Sequence, residues 1–328
     1  MSDAPDRLFG HAAAERSLVE SARSGRLHHA WLLAGPSGIG KATLARRFAG
    51  WLLAGQPDDT MAVPSDHPVA RRVAAGTHAD LLTVGRGWDE KKQRHRSEIV
   101  VEDTRQVAEF LRRTAAEGGW RVVILDQAEA MNRNAANALL KILEEPPPRA
   151  VLMLVSSVPG QMLATIRSRC RLLRLEPLDD PALEVALSRL LPDLDAAERA
   201  ALVRLAEGSP GRAIALAGDQ AVALERLVAE LMQRDPRGDA ADPLRDAAIV
   251  ETVLRQEQGF ETFLGLLSSA ISGHARRAAR SGQAPRPGDP DWVAAWQGVR
   301  RLRDETERFN LEKRQALSSS LTLLSGSN

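Results

Sequence analysis

The stretch Leu32-Leu33-Ala34-Gly35-Pro36-Ser37-Gly38-Ile39-Gly40-Lys41-Ala42-Thr43-Leu44 decides the fold. An apolar run ends in a glycine-rich turn and a lysine, and Leu44, Phe48 and Leu52 then recur along one helical face, so the order is strand, loop, helix. Gly35, Gly38 and Gly40 let backbone N–H groups curl around phosphate oxygens, the helix N-terminus adds positive dipole, and Lys41 reaches the terminal phosphates. The position after the lysine ordinarily carries a Mg²⁺-binding hydroxyl. Here it is Ala42, and Thr43 lies about 100° further round the helix, so it does not simply replace the missing ligand.

A chain of 328 residues exceeds what one core supports, so two or three domains are expected, and a hydrophobic fraction of 44% can build their cores. Lys+Arg 44 against Asp+Glu 43 leaves a net charge of +1, which excludes a strongly basic nucleic-acid coat while permitting a local patch. Only Lys41, Lys91, Lys92, Lys141 and Lys313 are lysines, and tyrosine is absent, a bias typical of a GC-rich genome and no guide to function. The single cysteine, Cys170, excludes an internal disulfide and a cysteine-based zinc cage within the chain, and fits a reducing compartment. With no signal peptide or long apolar span, the expected product is soluble and cytoplasmic.

In chain order, Leu8 to Gly25 reads as a leading helix, and His28-His29 as a turn before the buried strand Trp31 to Ala34. Between Gly55 and Arg96 proline, aspartate and arginine interrupt everything except a strand at Leu81-Leu82-Thr83-Val84. His67, His78 and His95 lack tight metal-ligand spacing, and Lys91-Lys92-Gln93-Arg94-His95-Arg96 reads as a solvated basic loop, the alternative being a contact to a phosphate backbone. Ile99-Val100-Val101 reads as a strand leading into a helix whose Val107, Phe110, Leu111 and Thr114 share a face, ending at Gly118-Gly119.

Trp120-Arg121-Val122-Val123-Ile124-Leu125-Asp126 is a β-branched apolar run closing on a carboxylate, which resembles a Walker B strand. In active ATPases of this layout the aspartate helps hold the metal and a following glutamate polarises the attacking water. Gln127 follows here, with Glu129 two positions later, so a second catalytic position is lost. Asn132 caps the next helix, Ala136, Leu139, Leu140 and Leu143 form its apolar stripe, and Glu144-Glu145-Pro146-Pro147-Pro148 stops it. Val151 to Ser157 is another buried strand, whose terminal Ser156 or Ser157 is a candidate polar sensor or a plain turn former. After the strand Arg171 to Leu175 only helical patterns remain. Three short ones open near Asp180-Pro181, Asp195 and Ser209-Pro210; longer ones cover 221–234, 244–256, 260–280, 292–308 and 311–324.

Gly35-Pro36-Ser37-Gly38-Ile39-Gly40-Lys41, Val101-Glu102-Asp103-Thr104-Arg105, Ala138-Leu139-Leu140-Lys141-Ile142-Leu143-Glu144-Glu145-Pro146-Pro147, Ser168-Arg169-Cys170 and Gly208-Ser209-Pro210-Gly211-Arg212-Ala213 together resemble the AAA+ clamp-loader family. The resemblance spans residues 1 to about 217; a phosphate loop alone is common, whereas the alanine-leucine-leucine-lysine helix with serine-arginine-cysteine is narrow. It implies an α/β AAA+ P-loop core (1–176), a small three-helix lid (177–220) and an all-α collar domain (221–328) that joins subunits into a pentamer. It also implies a non-motor subunit for bacterial DNA replication that helps place a sliding clamp on primed DNA, without enzymatic activity of its own. Its partners would be gamma/tau-type motor subunits, a delta-type subunit, the clamp and, through the complex, primer-template DNA.

Within that resemblance Arg169 is the expected arginine finger, pointing at a neighbour's ATP with Ser168 and Cys170 positioning it. Gly35, Gly38, Gly40, Lys41, Thr43, Asp126 and Arg212 form a nucleotide site read as vestigial, with Arg212 matching the family's second sensor or bridging lid and core. Lys141 is a candidate for duplex phosphate, or a plain exposed lysine; Cys170 reads as a small buried residue rather than a reactive thiol. No cofactor is required on this reading, ATP binding is impaired but open, and the family's frequent zinc module is not expected for want of cysteines. The alternative is an ATP-hydrolysing motor subunit or another AAA+ ATPase, which Gly35 to Lys41 and Asp126 support and Ala42 and Gln127 oppose.

Overall fold

In a computed structural model, residues 7–56, 59–89, 94–117, 119–217, 219–234, 243–256, 259–281, 290–309 and 311–324 are described. Five parallel strands carry the first half of the chain: β1 (Ala30–Ala34), β2 (Leu81–Val84), β5 (Arg121–Leu125), β6 (Ala150–Ser156) and β7 (Arg171–Arg174), in the order β2-β5-β6-β1-β7. Two short antiparallel strands, β3 (Trp88–Asp89) and β4 (Arg94–His95), form a separate hairpin. The central strands are buried throughout, as the near-continuous apolar runs require of a parallel sheet covered on both faces.

Alternation along each strand separates two cores. Trp31, Leu33, Ile124, Met153 and Val155 pack with α1 (Ala12–Arg23) and α2 (Lys41–Leu53), whose Leu44, Phe48, Trp51 and Leu52 are buried. Leu32, Val123, Leu125, Leu152 and Leu154 face α4 (Val101–Arg112) and α5 (Arg133–Glu144) through Val107, Leu111, Ala136, Leu139 and Leu143. A short α3 (Pro68–Ala74), which the interrupted sequence hid, starts where His67 Nδ1 accepts from the Val69 N–H at 3.2 Å. The strand read at 99–101 is not formed: Ile99 makes one bridge to Met131, while the Asp103 carboxylate accepts from Val100 N at 2.9 Å and starts α4 at Val101. α4 also stops at Arg112, so Thr114 leaves its face. The buried Arg121 guanidinium takes the Leu111 and Arg113 carbonyls, and Asp80 takes the Ala116 and Glu117 N–H groups at 2.8 and 3.1 Å. Gly118 lies outside the described residues.

The chain divides into two compact units, Met1–Arg212 and Ala213–Asn328. Beyond the sheet the first holds the short α6 (Ala164–Arg167), α7 (Asp180–Leu190) and α8 (Ala196–Ala206), and α9 (Pro210–Leu216) begins in it. Asp179 and Asp195 cap α7 and α8, each carboxylate accepting a backbone N–H at 2.8 Å. The second unit is helical among its described residues: α10 (Asp219–Gln233), α11 (Pro243–Leu254), α12 (Gly259–Ser281), α13 (Trp292–Phe309) and α14 (Lys313–Thr322). Leu224, Val228, Val253, Phe263, Leu267, Val299 and Leu317 are buried in it. The sheet order, the glycine loop after β1 and the helices that follow match the expected α/β AAA+ core with a helical C-terminal region.

Candidate nucleotide pocket and arginine surface

The loop between β1 and α2 holds three glycines at positive φ: Gly35 at 155°, Gly38 at 77° and Gly40 at 104°. At Gly38 the requirement is spatial as well. A Cβ there would lie 2.4 Å from Ser209 Oγ and 3.3 Å from Gly211 Cα, because the start of α9 is laid directly on the loop. Ser209 Oγ donates to the Ser37 carbonyl at 2.9 Å, and Gly211 N donates to the Gly38 carbonyl at 2.9 Å. His11 donates through Nε2 to the Ile39 carbonyl at 2.8 Å from the other side. The Ser37, Gly38 and Ile39 carbonyls are therefore all taken by the protein itself.

Lys41 is 5% exposed, and its ammonium meets three acceptors: the Gly35 carbonyl at 2.8 Å, the Pro36 carbonyl at 2.6 Å and Ser157 Oγ at 3.0 Å. Three acceptors match the three N–H donors of an ammonium. Burial pushes its pKa below the ordinary value, against the upward pull of the Glu129 and Asp126 carboxylates. Glu129 reaches this corner by accepting from the Ser157 N–H at 2.9 Å, and its other carboxylate oxygen is buried without a hydrogen-bond partner. Of the two serines ending β6, Ser157 faces the lysine, whereas Ser156 Oγ is buried without a partner.

The remaining pocket residues are drawn elsewhere. Thr43 Oγ1 accepts from Arg46 at 3.4 Å, one helical turn along α2. Asp126 ends β5 with Oδ1 accepting the Gln127 N–H at 3.0 Å, and Gln127 is exposed with a left-handed backbone at φ 55°. Arg212 pairs with Glu207 at 3.3 Å, and burial lowers its pKa against that pairing. Ala42 stands at the position where the motif ordinarily has a metal-binding hydroxyl, the Lys41 ammonium meets loop carbonyls and Ser157, and the start of α9 abuts Gly38.

Arg169 stands in the opposite situation. It lies at the turn after α6, half-exposed, with Nη2 2.8 Å from Glu144 Oε1 and Nη1 donating to the Thr165 carbonyl at 3.0 Å. Ser168 Oγ donates to that same carbonyl at 3.2 Å. Cys170 follows, partly buried against the core, and burial pushes its thiol up to about 12. Arg167, two positions earlier, is tied differently, with Nη1 donating to the Pro159 and Gly160 carbonyls at 3.1 and 3.3 Å.

Lys141 is exposed on α5. Arg96 is 3.0 Å from Asp103 and so belongs to the start of α4, while Lys91, Lys92 and Gln93 lie outside the described residues. Of the pair before β1, His29 donates through Nε2 to the Leu143 carbonyl at 3.0 Å and stacks on His28 at 4.4 Å. Among the described residues no group of histidines, cysteines and carboxylates is placed to hold a metal ion.

Sequence reading passed over His11, Ser209 as a clasp, and Glu144 as anything beyond a helix stop. Their partners lie 28, 172 and some two dozen positions away, and only a fold brings them together.

The family model described as DNA polymerase III, delta subunit, matches residues 10–179. A Pseudomonas aeruginosa protein named DNA polymerase III subunit delta' is 43% identical over 56% of this chain and 53% of its own length. The Escherichia coli protein of the same name is 37% identical over 68% of this chain and 64% of its own. The Escherichia coli protein named DNA polymerase III subunit tau is 31% identical over 63% of this chain and 31% of its own. The chain thus spans between half and two thirds of the length of these two delta' relatives.

Proposed function

The chain belongs to the family described as DNA polymerase III, delta subunit, and from that membership we propose that it serves as the delta-prime subunit of a clamp loader. On this reading it is a non-motor subunit. It assembles with gamma/tau motor subunits and a delta subunit in the cytoplasm, helps place a sliding clamp on primed DNA, and requires no nucleotide, zinc or other cofactor of its own. Among the described residues, no helix is long and apolar enough to cross a membrane.

The observation that carries the reading is the contrast between two cations. Lys41 faces inward onto the loop's own carbonyls, whereas Arg169 is held at the surface by one carboxylate and one carbonyl. A guanidinium has five N–H donors; two are engaged, and the rest are available to the oxygens of a phosphoryl group on a neighbouring subunit. Charge accumulates on those oxygens in the transition state, and an arginine supplied in trans stabilises it, by about 10³–10⁵ in rate in GTPases. The chain's own pocket offers neither a metal-binding hydroxyl nor a glutamate beside Asp126.

Reconstituting the loader from this chain and its motor and delta subunits tests the reading. The isolated chain should turn over no ATP, and Arg169→Ala should lower clamp-stimulated, DNA-stimulated ATPase of the complex by about 10²-fold or more. Turnover by the isolated chain would instead make it a motor, and an unchanged rate in the complex would remove Arg169 from the chemistry.

A further inference from the structure

Glu144 is the last residue of α5. A carboxylate at a helix C-terminus opposes the negative end of the macrodipole and is mildly unfavourable there. The exposed ion pair it makes with Arg169 returns about the same amount, so stability alone gives no reason for a glutamate at this position. What the pair does is geometric. Glu144 engages Nη2 and the Thr165 carbonyl engages Nη1, so two contacts through two different nitrogens set the plane of the guanidinium.

Both anchors are themselves fixed. The α5 end is held to the sheet by Ile142 and Leu143, both buried, and by His29, which donates to the Leu143 carbonyl at 3.0 Å. The Thr165 carbonyl belongs to α6, whose Ile166 is fully buried. Arg167 has only carbonyl partners from the turn Pro159–Gln161, and Glu145, next to Glu144, makes no ion pair among the described residues. The pairing is therefore particular to one arginine and one glutamate.

We propose that Glu144 is the positioning residue of Arg169: it orients the guanidinium before a neighbouring subunit docks, so that the remaining N–H donors are already directed outward. This rests on the reading of Arg169 as a finger acting in trans. Orientation fixed in advance lowers the barrier without tightening ground-state binding.

The experiment is the ATPase of the reconstituted loader with this chain as wild type, Glu144→Gln, Glu144→Asp, Glu145→Gln, Arg169→Ala and the Glu144→Gln/Arg169→Ala double variant. Glu144→Gln should lower kcat by about 10- to 10²-fold, with KM for ATP moving less than about twofold. Glu144→Asp should recover part of the loss, Glu145→Gln should behave as wild type, and the second substitution should add nothing to Arg169→Ala. A Glu144→Gln complex with unchanged kcat beside an inactive Arg169→Ala complex would overturn the positioning role and leave the finger standing. So would a loss that persists in full on the Arg169→Ala background. If Arg169→Ala itself is silent, the finger reading fails first.

Discussion

Lys41 and Arg169 are both cations in motifs that the resemblance assigns to phosphate, and the chain places them in opposite ways. Lys41 is buried, with Gly35, Pro36 and Ser157 as acceptors and Ser209, Gly211 and His11 closing the loop around it. Arg169 is half-exposed and rests on two acceptors, Glu144 at the end of α5 and the Thr165 carbonyl in the short α6. A motif can keep its fold while its donors are satisfied by the chain's own carbonyls. Where the donors point then matters more than whether the motif is present.

That contrast predicts a double dissociation, and its largest effect falls on Arg169. Arg169→Ala should cost the assembled loader about 10²-fold or more in ATPase, yet change the stability of the chain by less than about 1 kcal/mol, since the pair it loses is exposed. Lys41→Ala should do the reverse. It removes packed methylenes and three charge-assisted hydrogen bonds from a buried site beside Glu129, a loss of about 3 kcal/mol. Denaturant unfolding of both variants, alongside ATPase with the Lys41 variant in the complex, checks the pair. A stable Lys41→Ala chain would show that the lysine is not a structural post.

Gly38→Ala sharpens the same contrast at smaller scale. Its φ of 77° disfavours any L side chain, and the new methyl would meet Ser209 Oγ at 2.4 Å, so either the loop or the start of α9 must shift. The expected cost is about 2 kcal/mol, read as a fall in melting temperature. Gly25, also at positive φ but with nothing within 4 Å of the place a methyl would occupy, is the control: Gly25→Ala should cost only the backbone strain, about 1 kcal/mol.

Much of this organisation was legible in the residues. The strand–loop–helix pattern at 31–52, the apolar strands ending at Leu125 and Ser156, and the helical second half follow from periodicity and glycine placement. Two readings failed, one to a local cap and one to a side chain from another element. Ile99-Val100-Val101 is β-branched, but Asp103 caps the helix and leaves a single bridge; α4 ends early because Arg121 takes its last carbonyls. β-propensity at 99–101 yields to that cap, and no local pattern anticipates the Arg121 donor from β5. The site divides the same way. Ala42 and Gln127 are visible defects in a motif, whereas the return of Glu129 to the Ser157 N–H and the hold of Glu144 on Arg169 depend on tertiary placement.

The smallest expected effect concerns the support beneath the arginine surface and not the pocket. Burial lowers the His29 pKa from its ordinary 6.5, with the stacked His28 ring lowering it further and the Leu143 carbonyl raising it. The folded chain therefore prefers neutral His29, and its contribution is fully present above pH 6.5 and is lost as pH falls below that value. Because the imidazole is only partly buried, the melting temperature should fall by just a degree or two, roughly, from this group between pH 6.5 and 5. His29→Gln keeps a donor for the Leu143 carbonyl and removes the titration, so its melting temperature should depend less on pH across that interval. An unchanged slope in the variant would place the acid sensitivity at His78, whose pKa burial also lowers, and would free the α5 end, and Glu144 with it, from any dependence on the charge of His29.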